Sequence, residues 1–283
     1  MTNRIPGSSG NDSSSENEDK KKKKKVKKGA DKLLDSLPTV CLSVRFKDKR
    51  VKLSDDRLAA IGDRGYTTVL ATHAATKGKW YYEIHVDQSE SNEGHVRVGW
   101  STRRTRYDMP VGCDIFSYAI RDSDCAKIVQ GCRYDYGNVS VKPGDVIGCL
   151  LTLPDSDNQV VVDYEDPTWL PGLLCDPQYP PTPGILEGSS IEWSVNGTSF
   201  GDAFVNLVEG AYYPAVSLFM KAKFRVNFGP SFTFPRSGFR AVAELFEPES
   251  HMRPPRRPPT FMPRGLLASQ QKYLFFIPKR KNK

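Results

Sequence analysis

The sequence predicts an antiparallel β-sandwich flanked by basic tails. Three observations point there. Short runs of alternating apolar residues recur from about residue 38 to about residue 247. Turn-forming residues separate them, and helical periodicity is nearly absent. Strands of this length bury one face each, so two sheets must close on a shared core.

The elements follow in order. TVCLSVRF (39–46) alternates, and TTVLATH (67–73) is β-branched and ends before Gly78. Residues 77–100, KGKWYYEIHVDQSESNEGHVRVGW, set two alternating strands around a polar turn. Trp80, Tyr82, Ile84 and Val86 share one face of the first, and Val96, Val98 and Trp100 share one face of the second. Arg97 stands on the opposite face, in a strand that otherwise supplies core. DIFSYAIR (114–121) follows, then DVIGCLLTL (145–153), which is apolar on both faces like an inner strand.

Prolines then interrupt the rhythm at 154, 167, 171, 177, 180, 181 and 183, marking a loop or insertion over about 154–190. QVVVDY (159–164) reads as an edge strand within it. IEWSVNG (191–197) ends in Asn196-Gly197, the pair that a tight type I′ hairpin turn favours. YYPAVSLF (212–219) and FRVNFG (224–229) complete the strand set. Phe239, Val242, Ala243 and Phe246 form one apolar stripe at helical spacing, so a short helix is expected there, stopped by Pro248.

Charge divides the chain into three. Residues 1–32 hold ten Lys/Arg and five Asp/Glu, including an unbroken Lys20–Lys25 tract. Residues 251–283 hold nine Lys/Arg and no acid, whereas residues 33–250 are net negative by six. Dense like charge cannot bury apolar area, so 1–32 reads as a disordered Lys-rich tail, 33–247 as the folded body and 248–283 as a Pro/Arg-rich basic tail. The lysine tract suits nuclear import or salt-dependent contact with DNA or nucleosomes. No apolar run approaches the roughly 20 residues that span a bilayer, and no membrane role is expected. The six cysteines form no C-x-x-C pair and no secretory h-region is visible, which fits reduced thiols.

Catalytic signatures are absent: no G-x-S-x-G, H-E-x-x-H, P-loop or dinucleotide fingerprint occurs. His85 and His95, on facing strands with Glu83 nearby, read as exposed strand ends rather than an acid–base or metal pair. Cys125 and Cys132 have no histidine at zinc-ligand spacing. No enzyme, cofactor or metal is expected.

KGKWYYEI, HVRVGWS, FSYAIR, KPGDVIGCLLTL, IEWSVNG, YYPAVSL and FRVNFG, in this order, resemble the SPRY domain family over about 150 residues. LSDDRLAAIGDRGYTTVLATHA (53–74), MPVGCDIFSYAIR (109–121) and YYPAVSLFMKAKFRVNFGP (212–230) carry a finer resemblance, to the trithorax-group Ash-two type. That resemblance implies a non-catalytic scaffold subunit of a histone H3 lysine-four methyltransferase complex. Its SPRY pocket binds an acidic segment of a retinoblastoma-binding-protein-five-like subunit, and the pair holds a SET-domain methyltransferase active. By motif, the family's pocket tyrosine, arginines and proline fall on Tyr66, Arg97, Pro110 and Arg121. Arg103, Arg104 and Arg106 add positive charge to the same loop region. Family members also carry a longer helix that docks on a Dpy-thirty dimer, whereas Pro248 truncates the stripe here. A SPRY adaptor for another peptide, as in ubiquitin-ligase substrate selection, and a basic nucleic-acid-binding protein are the alternative readings.

Overall fold

The computed structural model describes residues 38–90, 93–155 and 184–245. Two sheets face each other. The first contains, in spatial order, β1 (Leu42–Lys47), β4 (Thr67–Ala71), β13 (Tyr213–Phe219), β6 (His95–Ser101), β7 (Ser117–Arg121), β8 (Lys127–Val129) and β9 (Cys132–Tyr134). The second contains β12 (Thr198–Val208), β11 (Ile185–Val195), β10 (Val146–Leu153), β5 (Gly78–Asp87), β14 (Lys223–Asn227), β3 (Ala59–Ile61) and β2 (Lys52–Leu53). These strands pair antiparallel, and β15 (Arg240–Ala241) adds a short parallel pairing to β5.

The main core lies between the sheets. Tyr82 and Ile84 of β5 and Trp193 of β11 meet Val98 and Trp100 of β6 and Ile120 of β7, all fully buried. Each such side chain contributes roughly 1.5–3 kcal/mol by leaving water. The Tyr82 and Trp100 rings meet edge to face with centroids 5.0 Å apart. The Tyr82 hydroxyl donates to Gly99 O at 2.5 Å, which ties the sheets together.

Two neighbouring strands of the sequence are thus separated in space. β5 and β6 flank one polar turn, yet they belong to opposite sheets. β10 is the inner strand its composition suggests, held between β5 and β11. The β11–β12 turn places Asn196 at φ 48° and Gly197 at φ 81°, as a type I′ turn requires.

Strand β11 begins at Ile185, inside the proline-marked stretch; the QVVVDY segment lies outside the described residues. The expected short C-terminal helix is seen, among the described residues, as a single 3-10 turn. Residues 240–241 run extended beside β5, a single 3-10 turn covers Val242–Glu244, and Leu245 is extended again. Three residues cannot repay helix nucleation, and pairing with β5 already holds the start of the stripe in the wrong conformation. Phe246 and both tails lie outside the described residues.

Glu83 explains how the segment after β14 is held. Its carboxylate is fully buried on β5. It accepts hydrogen bonds from the Thr233 and Phe234 amides at 2.9 and 2.7 Å, from Asn227 Nδ2 at 3.1 Å and from the Tyr81 hydroxyl at 3.2 Å.

Candidate functional site

Outward-facing positions of four adjacent strands line up across the first sheet. Thr68 of β4 lies opposite Ser217 of β13, Ser217 opposite Arg97 of β6, and Arg97 opposite Arg121 of β7. Two residues further along each strand, Leu70, Ala215, Gly99 and Ala119 make a second row. Strand side chains alternate, so both rows face away from the main core, into which Val96 and Val98 point.

The second row is apolar and mostly small. Leu70, Ala215 and Ala119 pack with Val111 of the β6–β7 loop and with Phe46 and Tyr213 in a separate small core. No side chain fits at Gly99: a Cβ there would lie 1.8 Å from Tyr118 O.

The polar row pins the same loop at its margin. Thr68 Oγ1 donates to Met109 O at 2.7 Å, Ser217 Oγ accepts from the Val111 amide at 2.7 Å, and the two hydroxyls lie 2.6 Å apart. Pro110 is buried between these anchors, and its carbonyl accepts from the Cys113 amide at 3.2 Å. Thr68 and Ser217 were not legible as part of this row, although Ser217 puts a hydroxyl into an otherwise apolar run.

Arg97 emerges from this row toward Tyr66. Its guanidinium carbon lies 4.9 Å from the Tyr66 ring centroid, and that ring packs on Phe219 with centroids 4.8 Å apart. Arg97 Nη1 contacts Cys113 Sγ at 3.6 Å, while Nε is buried without a hydrogen-bond partner. No carboxylate among the described residues pairs with it. The backbone of Tyr66 is held from below. Arg50 donates to Tyr66 O at 3.2 Å and to Arg64 O at 3.3 Å, while Asp48 grips its fork at 2.9 and 3.0 Å. That grip holds the Asp48 carboxyl below the usual carboxylate range.

Arg121 differs from Arg97. Its Nε and Nη2 each donate to Asp124 at 2.6 Å, and Arg133 donates to the same carboxylate from Nε and Nη2 at 3.1 and 2.9 Å. The hydrogen bonds from Arg121, the Ala126 amide and Arg133 hold Asp124 far below its ordinary pKa, and Asp124 raises Arg121. The structure therefore brings Tyr66, Arg97 and Arg121 together, with Pro110 in the loop that closes over the row. Two like charges opposite each other in a ladder are unfavourable unless an anion joins them. Two guanidinium forks beside an aromatic ring can grip carboxylates or phosphate bidentately.

The neighbouring charges are otherwise engaged. Arg103 lies over Phe46 at 5.5 Å, Arg104 over Phe116 at 4.1 Å, and Arg106 pairs with Asp108 at 2.7 Å. His95 Nδ1 lies 3.2 Å from Asp122, and His85 lies 3.6 Å from Glu83 on the other sheet, so the two histidines have separate partners. Burial raises Asp122, partly offset by the Val96 amide and His95.

Residues 79–157 of this β-sandwich match the SPRY domain family. Similar proteins include subunits of histone methyltransferase complexes. The Set1/Ash2 histone methyltransferase complex subunit ASH2 of Drosophila melanogaster is 32% identical over 213 residues, 70% of this chain and 37% of that protein. The Set1/Ash2 histone methyltransferase complex subunit ash-2 of Caenorhabditis elegans is 32% identical over 231 residues, 73% of this chain and 40% of that protein. The chain thus spans two fifths or less of the length of these two relatives. Among solved structures, the SPRY domain of human HERC1 is similar with TM-score 0.45 and 17% identity, over 64% of this chain and 96% of that one.

Proposed function

We propose that this chain is a non-catalytic scaffold and activator subunit of a histone H3 lysine-four methyltransferase complex in the nucleus. Its SPRY domain captures an acidic segment of a partner subunit of the retinoblastoma-binding-protein-five type, and the pair restrains a SET-domain methyltransferase. Activation is then indirect: holding that enzyme in its competent conformation raises the population of that state. The basic tails import the protein and hold it near DNA or nucleosomes. A Dpy-thirty-type partner would attach at the shortened stripe of Phe239, Val242, Ala243 and Phe246.

One observation carries the reading. Arg97 presents a cation stacked on Tyr66, with a buried Nε that no described residue satisfies, directly opposite a second arginine. A site built to fold would pair that charge; a site built to bind leaves it for the ligand.

Calorimetric titration of the full chain with a glutamate-rich peptide tests it. Binding should weaken by about 2–5 kcal/mol in Arg97→Ala, the range for losing one partner of a desolvated charge pair. Equal affinity for both proteins would remove Arg97 from the site.

A further inference from the structure

We infer that Asp124 is a built-in competitor for the acidic ligand, with Arg133 as the residue that draws it off. This rests on the reading of the arginine row as an acidic-peptide site, and names a specificity determinant within it.

The geometry of the guanidinium sets the problem. Its Nε–Nη2 edge offers two parallel donors to one carboxylate. Asp124 occupies that edge of Arg121 with both oxygens at 2.6 Å. A ligand carboxylate therefore meets a guanidinium without a carboxylate partner at Arg97 and a filled fork at Arg121. The two residues are direct ladder partners, so their Cα atoms lie within about 6 Å. Both forks lie within reach of one short acidic stretch.

Asp124 has somewhere to go. Its Oδ1 already accepts from the Ala126 amide at 3.0 Å, and its Oδ2 accepts from two nitrogens of Arg133. Releasing Arg121 leaves the carboxylate hydrogen-bonded and charge-paired. Arg133 is 46% exposed and Arg121 36% exposed, so the exchange takes place in solvent, where ion pairs are worth little and swap readily. A single negative charge gains most from Arg97 alone. Two clustered charges displace Asp124 and use both forks. Asp124 thereby makes the site favour ligands whose acidic residues are grouped.

Arg133 acts through Asp124 rather than on the ligand. It also holds Asp135 at 2.9 Å, so its own fork is already filled by carboxylates of this chain.

Binding of the glutamate-rich peptide to the full chain distinguishes the outcomes. Asp124→Asn keeps an acceptor for Ala126 and removes the charge. Its affinity should rise about 1.5- to fivefold, the scale of an exposed ion pair. Arg133→Gln should weaken binding about two- to fivefold in the wild-type background and have no effect in the Asp124→Asn background. If Asp124→Asn does not fold, Asp124→Ser provides the same comparison. Unchanged or weaker binding by the Asp124 variant, with wild-type binding still lost in Arg97→Ala, overturns this inference and leaves the site reading intact. An Arg133→Gln effect that persists without Asp124 also overturns it. No binding by wild type or any variant overturns the site reading itself.

Discussion

Replacing Arg97 by methionine should abolish ligand binding and yet leave the fold at least as stable. The substitution keeps an unbranched apolar stem of similar reach, so packing above the sheet is largely retained. It gives up the stack on Tyr66 at 4.9 Å, about 0.5–1 kcal/mol, and a weak contact with Cys113. It also removes one unfavourable feature. A buried Nε without a partner costs about 1–3 kcal/mol, whereas Asp124 already neutralises Arg121 opposite. The balance favours the variant by about 1 kcal/mol. Urea unfolding followed by tryptophan fluorescence reads this as a midpoint raised by about 0.5 M at unchanged slope. A midpoint lowered by the same amount would refute the reasoning. Arg97 would then be holding the fold together, and its unpaired nitrogen would say nothing about a ligand.

Two further outcomes are expected. Gly99→Ala forces a methyl against the backbone of β7, and should cost about 3 kcal/mol or more while prising Arg97 from Arg121. A denaturation midpoint equal to wild type would show that the β6–β7 ladder is looser than described. His73 is buried with its Nδ1 2.8 Å from Thr72 Oγ1, and burial pushes its pKa below 6.5. The unfolded chain takes up a proton near that value while the folded chain resists. Stability is therefore full above pH 6.5 and falls as pH drops through it, by up to about 1.4 kcal/mol per pH unit. His73→Gln should flatten thermal melting points between about pH 7 and pH 5, and an unchanged slope would place the proton uptake elsewhere.

Strand existence was legible because the period of two leaves a direct trace in composition. Val96, Val98 and Trp100 point inward together, so Arg97 had to face out. Which sheet a strand joins leaves no such trace: β5 and β6 are sequence neighbours and sheet strangers. β12 was not expected, since Gly201 and Asp202 interrupt its alternation, yet the tight Asn196-Gly197 turn folds that segment onto β11 regardless. The apolar stripe near the C-terminal end carried helical spacing, but pairing to β5 decided its first residues. At the site, Arg97 and Arg121 were legible by resemblance, and Asp124 was visible beside Arg121 in the sequence. The double guanidinium clamp on Asp124 was not, because Arg133 arrives from two strands away. Ser217 and Thr68 were hidden for the same reason: their hydroxyls matter only once a distant loop lies across them.

The Glu83 anchor has a mechanical meaning for any assembly built on this domain. It fastens residues 233–234 to the second sheet, and the chain then pairs with β5 at Arg240–Ala241 and packs Val242 and Leu245 into the core. The arginine row lies on the outer surface of the first sheet. The arginine row and the Glu83 anchor therefore lie on opposite outer faces of the sandwich, whose sheet planes stand about 10 Å apart. Close-packed aromatic side chains fill that gap and resist compression. Partners bound at these two faces would be held at a fixed offset, and neither would have to be vacated for the other to be filled.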